Sequence, residues 1–210
     1  MNILFDLDGT LVDASDRLYQ LFQDLVPESN FSKKEYWELK RNKISHQMIL
    51  ERFFSEIDFE FFNKRWLDLI ETDKYLMLDK VYPDTVETLK DLSRSYNLVL
   101  LTARQSAKKM ICELDSLGIH NFFKCIIATE DRKKDELLYE AISKGDISKE
   151  PNDLFVSDMG KDIALGNDLC YRTVAITRGF MNEKYLSEYE PEYLIEDLNG
   201  LYDVINLLNN

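Results

Sequence analysis

Cysteine is scarce in this sequence. Its three residues, Cys112, Cys125 and Cys170, lie far apart and form no Cys-x-x-Cys pair. An odd, scattered set argues against a disulfide framework or a zinc site and predicts small buried hydrophobes in a reducing compartment. Glycine and proline are also few, seven and four, which excludes low-complexity and collagen-like chains. The longest apolar runs, such as residues 98–101, are far too short to span a bilayer. No basic and apolar leader opens the sequence. Nor does any run of Lys and Arg suggest a nucleic-acid stripe: 39 acidic residues face 26 basic ones, for a net charge of -13. Together these absences predict a soluble, cytoplasmic protein that binds neither membrane nor nucleic acid. If its substrate is anionic, a local patch of positive charge must outweigh the global field.

What is present can build a core. The chain is 45% hydrophobic, with 12 Phe, 11 Tyr and 2 Trp. A length of 210 residues allows one domain, or a domain with a smaller insert. The first thirteen residues organise the rest. Ile3-Leu4-Phe5 is a short apolar run fit for a buried strand, and it ends at Asp6-Leu7-Asp8-Gly9-Thr10. Two carboxylates one residue apart raise each other's pKa unless a cation sits between them. In an open α/β sheet, ligands bind at that end of the strands. The stretch reads as a metal-assisted active site.

After Asp13 the pattern turns helical. Leu18, Leu21, Phe22 and Leu25 recur at helical spacing, and Pro27 stops the run. Ser32 with Glu35 predicts a capping box. A polar, basic break at 41–45 precedes further helical runs through Met48, Ile49, Phe53 and Phe54, then through 59–72. Residues 14–80 thus read as about four helices without a convincing strand. From Val81 onward, helices and strands alternate. Asp84 is the expected N-cap of a helix through Leu92. Apolar strands at 97–102, 124–128, 154–158 and 173–176 are separated by helices at 106–117, 135–144 and 163–168. Leu194-Ile195 suggests a short edge strand, with a closing helix at 200–208. This alternation predicts an α/β fold with a doubly wound parallel sheet and a small inserted helical unit. The expected division is 1–13 with 81–210 for the α/β core, and 14–80 for the insert.

Three strand ends carry chemistry: Asp6, Thr102 and Asp158. Asp6-Leu7-Asp8-Gly9-Thr10-Leu11-Val12-Asp13 resembles the first motif of the haloacid dehalogenase superfamily, whose members are mostly Mg²⁺-dependent phosphatases. Leu98-Val99-Leu100-Leu101-Thr102 resembles its second motif, whose hydroxyl and following backbone N–H groups, here at Ala103 and Arg104, hold a phosphoryl oxygen. Arg104 and Gln105 stand where Asn is more usual. The third motif is a Lys before a helix, and Arg132-Lys133-Lys134-Asp135-Glu136 offers two. The spacing to Leu137-Leu138 favours Lys133 over Lys134, although the common Pro after the Lys is absent. Phe155-Val156-Ser157-Asp158-Met159-Gly160-Lys161-Asp162 resembles the fourth motif, with Ser157 where Gly is usual.

The resemblance implies a Rossmann-like core with a helical cap of the first cap class. It also implies a covalent mechanism. Asp6 would be the nucleophile. Asp8 would begin protonated, act as acid, then serve as base. Mg²⁺ would be held by Asp6, the Asp8 carbonyl and Asp158, with Asp162 on a metal-bound water or on Lys133. Lys133 would screen charge and Lys134 would lie beside it toward the substrate. The cap loop, with Arg41, Lys43, Ser45 and His46, would address the leaving group; His46 alone reads better as a packing histidine. The expected activity is hydrolysis of a small phosphorylated metabolite, such as a sugar phosphate or phosphoglycolate, by a monomer or homodimer. A phosphomutase and a non-catalytic binding module are the alternatives.

Overall fold

A computed structural model describes residues 1–130 and 132–209. In chain order, β1 (Asn2–Phe5) and β2 (Val12–Asp13) lead into α1 (Ser15–Leu25), α2 (Lys33–Arg41), α3 (His46–Phe53), α4 (Phe59–Leu69) and α5 (Asp73–Leu76). Then come β3 (Lys80–Val81), α6 (Thr85–Leu92), β4 (Asn97–Thr102), α7 (Ala107–Ser116), β5 (Phe123–Ala128) and α8 (Lys134–Lys144). β6 (Leu154–Ser157), α9 (Gly160–Asp168), β7 (Arg172–Ile176), α10 (Glu183–Ser187), β8 (Tyr193–Ile195) and α11 (Gly200–Leu208) complete the chain.

The main sheet is parallel, in the order β5-β4-β1-β6-β7-β8. Its central strands are mostly apolar because both faces are covered. Along β1, Ile3 and Phe5 enter one apolar cluster with Leu89, Leu114 and Leu201, while Leu4 enters the opposite one with Leu138 and Phe155. The chain winds outward from β1 on both sides, so the C-terminal end of β1 is the switch point where a crevice opens.

Helices α1–α5 form an insert with its own core, built on Leu21, Phe22, Tyr36, Ile49, Phe62 and Trp66. Its two stems pair as an antiparallel ribbon, Val12 opposite Val81 and Asp13 opposite Lys80. The sequence reading missed this ribbon, because a two-residue strand has no period to detect. The Ser32–Glu35 capping box is present. Asp84 sits at the start of α6 but makes no side-chain cap. Its carboxylate instead pairs with Arg178 at 2.6 Å and accepts the Leu198 N–H at 2.7 Å.

Candidate active site

The carboxyl ends of β1, β4 and β6 and the first turns of α8 and α9 border one cleft of about 860 Å³. Asp6, Asp8, Thr102, Ala103, Arg104, Lys133, Lys134 and Asp162 all line it. Asp158 lies fully buried at its edge. Its Oδ1 accepts from the Thr10 hydroxyl at 3.0 Å and its Oδ2 from the Phe180 N–H at 2.6 Å. Gly9 and Gly179 press against this carboxylate so closely that a Cβ at either position would collide with it. Gly9 also has φ +83°, a conformation that side chains resist. The glycine of the first motif is therefore a packing requirement of Asp158, which lies far away in sequence.

The cation of the site is Lys134, which corrects the preference for Lys133. Lys134 Nζ lies 2.6 Å from Asp6 Oδ1 and 2.6 Å from Asp162 Oδ2. Lys133 is exposed and occupies the N-cap position of α8. The expected helix start was Asp135; the observed start is Lys134, with Lys133 at the N-cap. Ser157 Oγ also donates to Asp162 at 2.8 Å, so Asp162 aims the lysine. Burial opposes the charge on Lys134, but Asp6 and Asp162 outweigh it and hold the ammonium charged well above its ordinary pKa.

Burial also pushes Asp6 up to about 6 against the pull of Lys134, with the charges of Asp162 and Asp8 adding to the rise. Asp158 is raised well above the carboxylate range, first by burial and next by the charge of Asp6. A buried carboxylate raised further by its neighbour's charge fits a hard divalent cation, and the donors on hand are oxygens. Among the described residues no three His, Cys, Asp or Glu side chains close a cage around one point. Mg²⁺ does not need one, since it takes one or two carboxylates and keeps its waters.

The surroundings of Asp8 oppose the protonated state expected of it. Its Oδ1 receives Arg17 Nη2 at 2.6 Å and Arg104 Nη2 at 2.9 Å. Burial would raise Asp8, but Arg104 and Arg17 prevail and hold it below its ordinary value. The same arginines reach Asp79, at 3.2 Å each, and Arg104 reaches Glu113 at 3.0 Å. Three carboxylates thus share two buried guanidiniums, one acidic group more than the cations match, which favours a proton on Asp79. Burial is the main cause that pushes Asp79 up to about 9; Arg17 pulls the other way, while Asp8 and a hydrogen bond with Glu113 add to the rise.

That proton has a consequence for stability. The folded state keeps it from about pH 4 to about pH 9, whereas the unfolded chain gives it up at the lower end of this window, so stability falls as pH rises across it. Asp79→Asn is expected to flatten this fall. Thermal unfolding midpoints measured at both ends of the window check this; a parallel fall in wild type and variant would place the proton elsewhere.

Arg41 and Lys43 do not reach the cleft, contrary to expectation. Arg41 Nη2 donates to the Thr177 carbonyl at 2.7 Å. Lys43, at φ 61°, turns outward to Glu188 at 2.6 Å and lies over the rings of Tyr185 and Tyr189. Both fasten the insert to the core. Ser45 caps α3, and His46 packs inside the insert, 2.9 Å from the Tyr36 hydroxyl. The sequence reading missed Arg17, Glu71, Asp79, Glu113 and Phe180. Only Arg17 carried a signal, since it lies one turn before Leu21 on the apolar side of α1.

Comparisons with known proteins agree with this architecture. A family profile described as "Haloacid dehalogenase-like hydrolase" matches residues 3–176. The chain is 27% identical over 212 residues to pyrophosphatase PpaX of Oceanobacillus iheyensis, covering 97% of this chain and 95% of that protein. It is 26% identical over 218 residues to phosphoglycolate phosphatase 1 of Pseudomonas aeruginosa, covering 95% and 77%. Among solved structures, the haloacid dehalogenase-like family protein SP0104 from Streptococcus pneumoniae shares the fold, with a TM-score of 0.79 at 21% identity over 97% of both chains. With the motif residues gathered at one switch point and the profile spanning most of its length, the chain belongs to the haloacid dehalogenase-like hydrolases.

Proposed function

We propose that this hydrolase is a Mg²⁺-dependent phosphatase that removes the phosphoryl group of a small phosphorylated metabolite through a phosphoenzyme on Asp6. The observation that carries the reading is Lys134, buried between Asp6 and Asp162 at the mouth of the parallel sheet. A lysine so placed neutralises a nucleophilic carboxylate that must approach a dianion. Relatives aligned over nearly the whole chain bear the names of a pyrophosphatase and a phosphoglycolate phosphatase, which supports phosphate ester or anhydride chemistry.

Asp6 attacks phosphorus in line, and the bond from phosphorus to the leaving oxygen breaks. Thr102 and the backbone N–H groups that follow hold the phosphoryl oxygens. Asp8 then takes a proton from the water that hydrolyses the acyl phosphate, a task suited to a carboxylate already ionised by Arg17 and Arg104. For the acid half of its role, before that step, Asp8 takes up a proton as its pairing with the arginines loosens around the substrate, and passes that proton to the leaving oxygen. Asp6, the Asp8 carbonyl and Asp158 would hold Mg²⁺, which supplies positive charge to the transferring phosphoryl group. The insert acts as a cap over the cleft, excluding water through its contacts with the core. No described helix is long and apolar enough to cross a membrane.

Phosphate release from a panel of phosphorylated metabolites, pyrophosphate and an aryl phosphate tests the reading. Release with Mg²⁺ that disappears in EDTA and returns on adding Mg²⁺ is the expected result. No release from any compound would overturn it. Release that requires a bisphosphate activator would indicate a mutase.

A further inference from the structure

The insert reaches into the phosphate-holding loop through a single carboxylate. After α4 ends, the chain turns through Ile70 and Glu71, both of which line the cleft. Glu71 is only 8% exposed. Its Oε1 accepts the Gln105 N–H at 2.7 Å and its Oε2 the Ser106 N–H at 3.1 Å. Its own carbonyl accepts from Lys109 Nζ at 2.9 Å. These donors belong to residues 103–106, which join β4 to α7, and to the first turn of α7. Thr102 and Ala103, the expected holders of the phosphoryl oxygens, open the same loop.

A loop outside any ladder leaves its amides without partners, and a carboxylate that takes two of them at a helix start forms charge-assisted bonds. Here the carboxylate comes from the insert and the amides from the core. The bonds exist only while the insert lies against the core. A second contact between insert and core comes from the other end of the insert, where the Arg17 guanidinium on α1 holds the Asp8 carboxylate.

We infer that Glu71 is a positioning residue that couples seating of the helical insert to the shape of the phosphate-holding loop. This rests on the phosphatase reading for its kinetic consequence, but not for its structural one. When Glu71 is seated, the amides beyond Thr102 point along a fixed path. When it leaves, Gln105 and Ser106 lose their acceptors and the loop is free to turn. Glu71 touches neither the nucleophile nor the reacting phosphorus, so it acts through the loop.

Glu71→Ala and Glu71→Gln test this. Misplacing a positioning loop by about 1 Å costs up to about a hundredfold in rate. Glu71→Ala is expected to lower kcat by about ten- to a hundredfold with KM changed less than about threefold, and Glu71→Gln, which keeps one acceptor, to lose less. Amide hydrogen exchange at Gln105 and Ser106 is expected to quicken in both variants with the thermal midpoint nearly unchanged. This arm needs no turnover, so it stands if the phosphatase reading fails. Beryllium fluoride with Mg²⁺, which forms a phosphoryl-like adduct on a carboxylate, is the probe for the loop: its affinity should fall in step with kcat. Wild-type exchange at both amides in Glu71→Ala would overturn the inference. So would a loss of kcat matched by a general loss of stability, which marks a structural role.

Discussion

Asp6→Asn is expected to reduce phosphate release on the order of ten-thousandfold or more, the scale on which removal of a nucleophile is felt. An amide does not form the acyl phosphate, and no other described carboxylate is placed on Lys134 at the end of β1. The substitution keeps the shape of the side chain. Lys134 retains Asp162 at 2.6 Å, so the variant keeps a partner for its buried ammonium. The repulsion that Asp162 and Asp8 exert on Asp6 also disappears, so the fold should survive. Steady-state release with a melting curve on the same sample checks both halves. A rate within tenfold of wild type would move the nucleophile elsewhere.

Lys134→Ala should cost on the order of a thousandfold in kcat, the scale of losing preorganised charge beside a transferring phosphoryl group. Lys133→Ala should stay within about threefold, because an exposed lysine at a cleft mouth adds little. The contrast follows from distance: one ammonium lies 2.6 Å from two buried carboxylates, while the other is exposed at the N-cap position. Lys134→Arg should not rescue, since a planar fork replaces a compact charge in a site 14% exposed. The lost pairing leaves Asp6 and Asp162 without their cation, a penalty of about 3–5 kcal/mol when nothing replaces it. Excess Mg²⁺ should recover part of the stability and little of the rate. Equal losses in the two alanine variants would refute the assignment, and a loss in Lys133→Ala alone would restore the other lysine.

The strands and the acidic motif residues were legible because each is written locally. An apolar run buried on both faces and then broken by Asp6, Thr102 or Asp158 announces both a central strand and its reactive end. Ser32 and Glu35 announced their helix in the same way. The lysine was not legible. Neighbouring helix positions differ by about 100° around the axis, so only one of two adjacent lysines faces the carboxylates, and the packing of α8 decides which. The basic break in the insert misled for a related reason. Its charge was plain, but the direction of Arg41 depends on carbonyls at Thr177 and Arg178, far along the chain.

Residue order and local period were sufficient for the α/β alternation, the run of helices after β2 and the carboxylates at the ends of β1 and β6. Those features depend on neighbours within a few positions, and the pattern of buried and exposed side chains repeats with the element itself. Packing alone decided that Asp8 rests between Arg17 and Arg104, that burial pushes the Asp79 carboxyl up, and that Glu71 holds the loop after Thr102. These depend on charges brought together from the insert, its stem and the core. Their states follow from burial and mutual distance, which no stretch of chain contains until the two units are in contact.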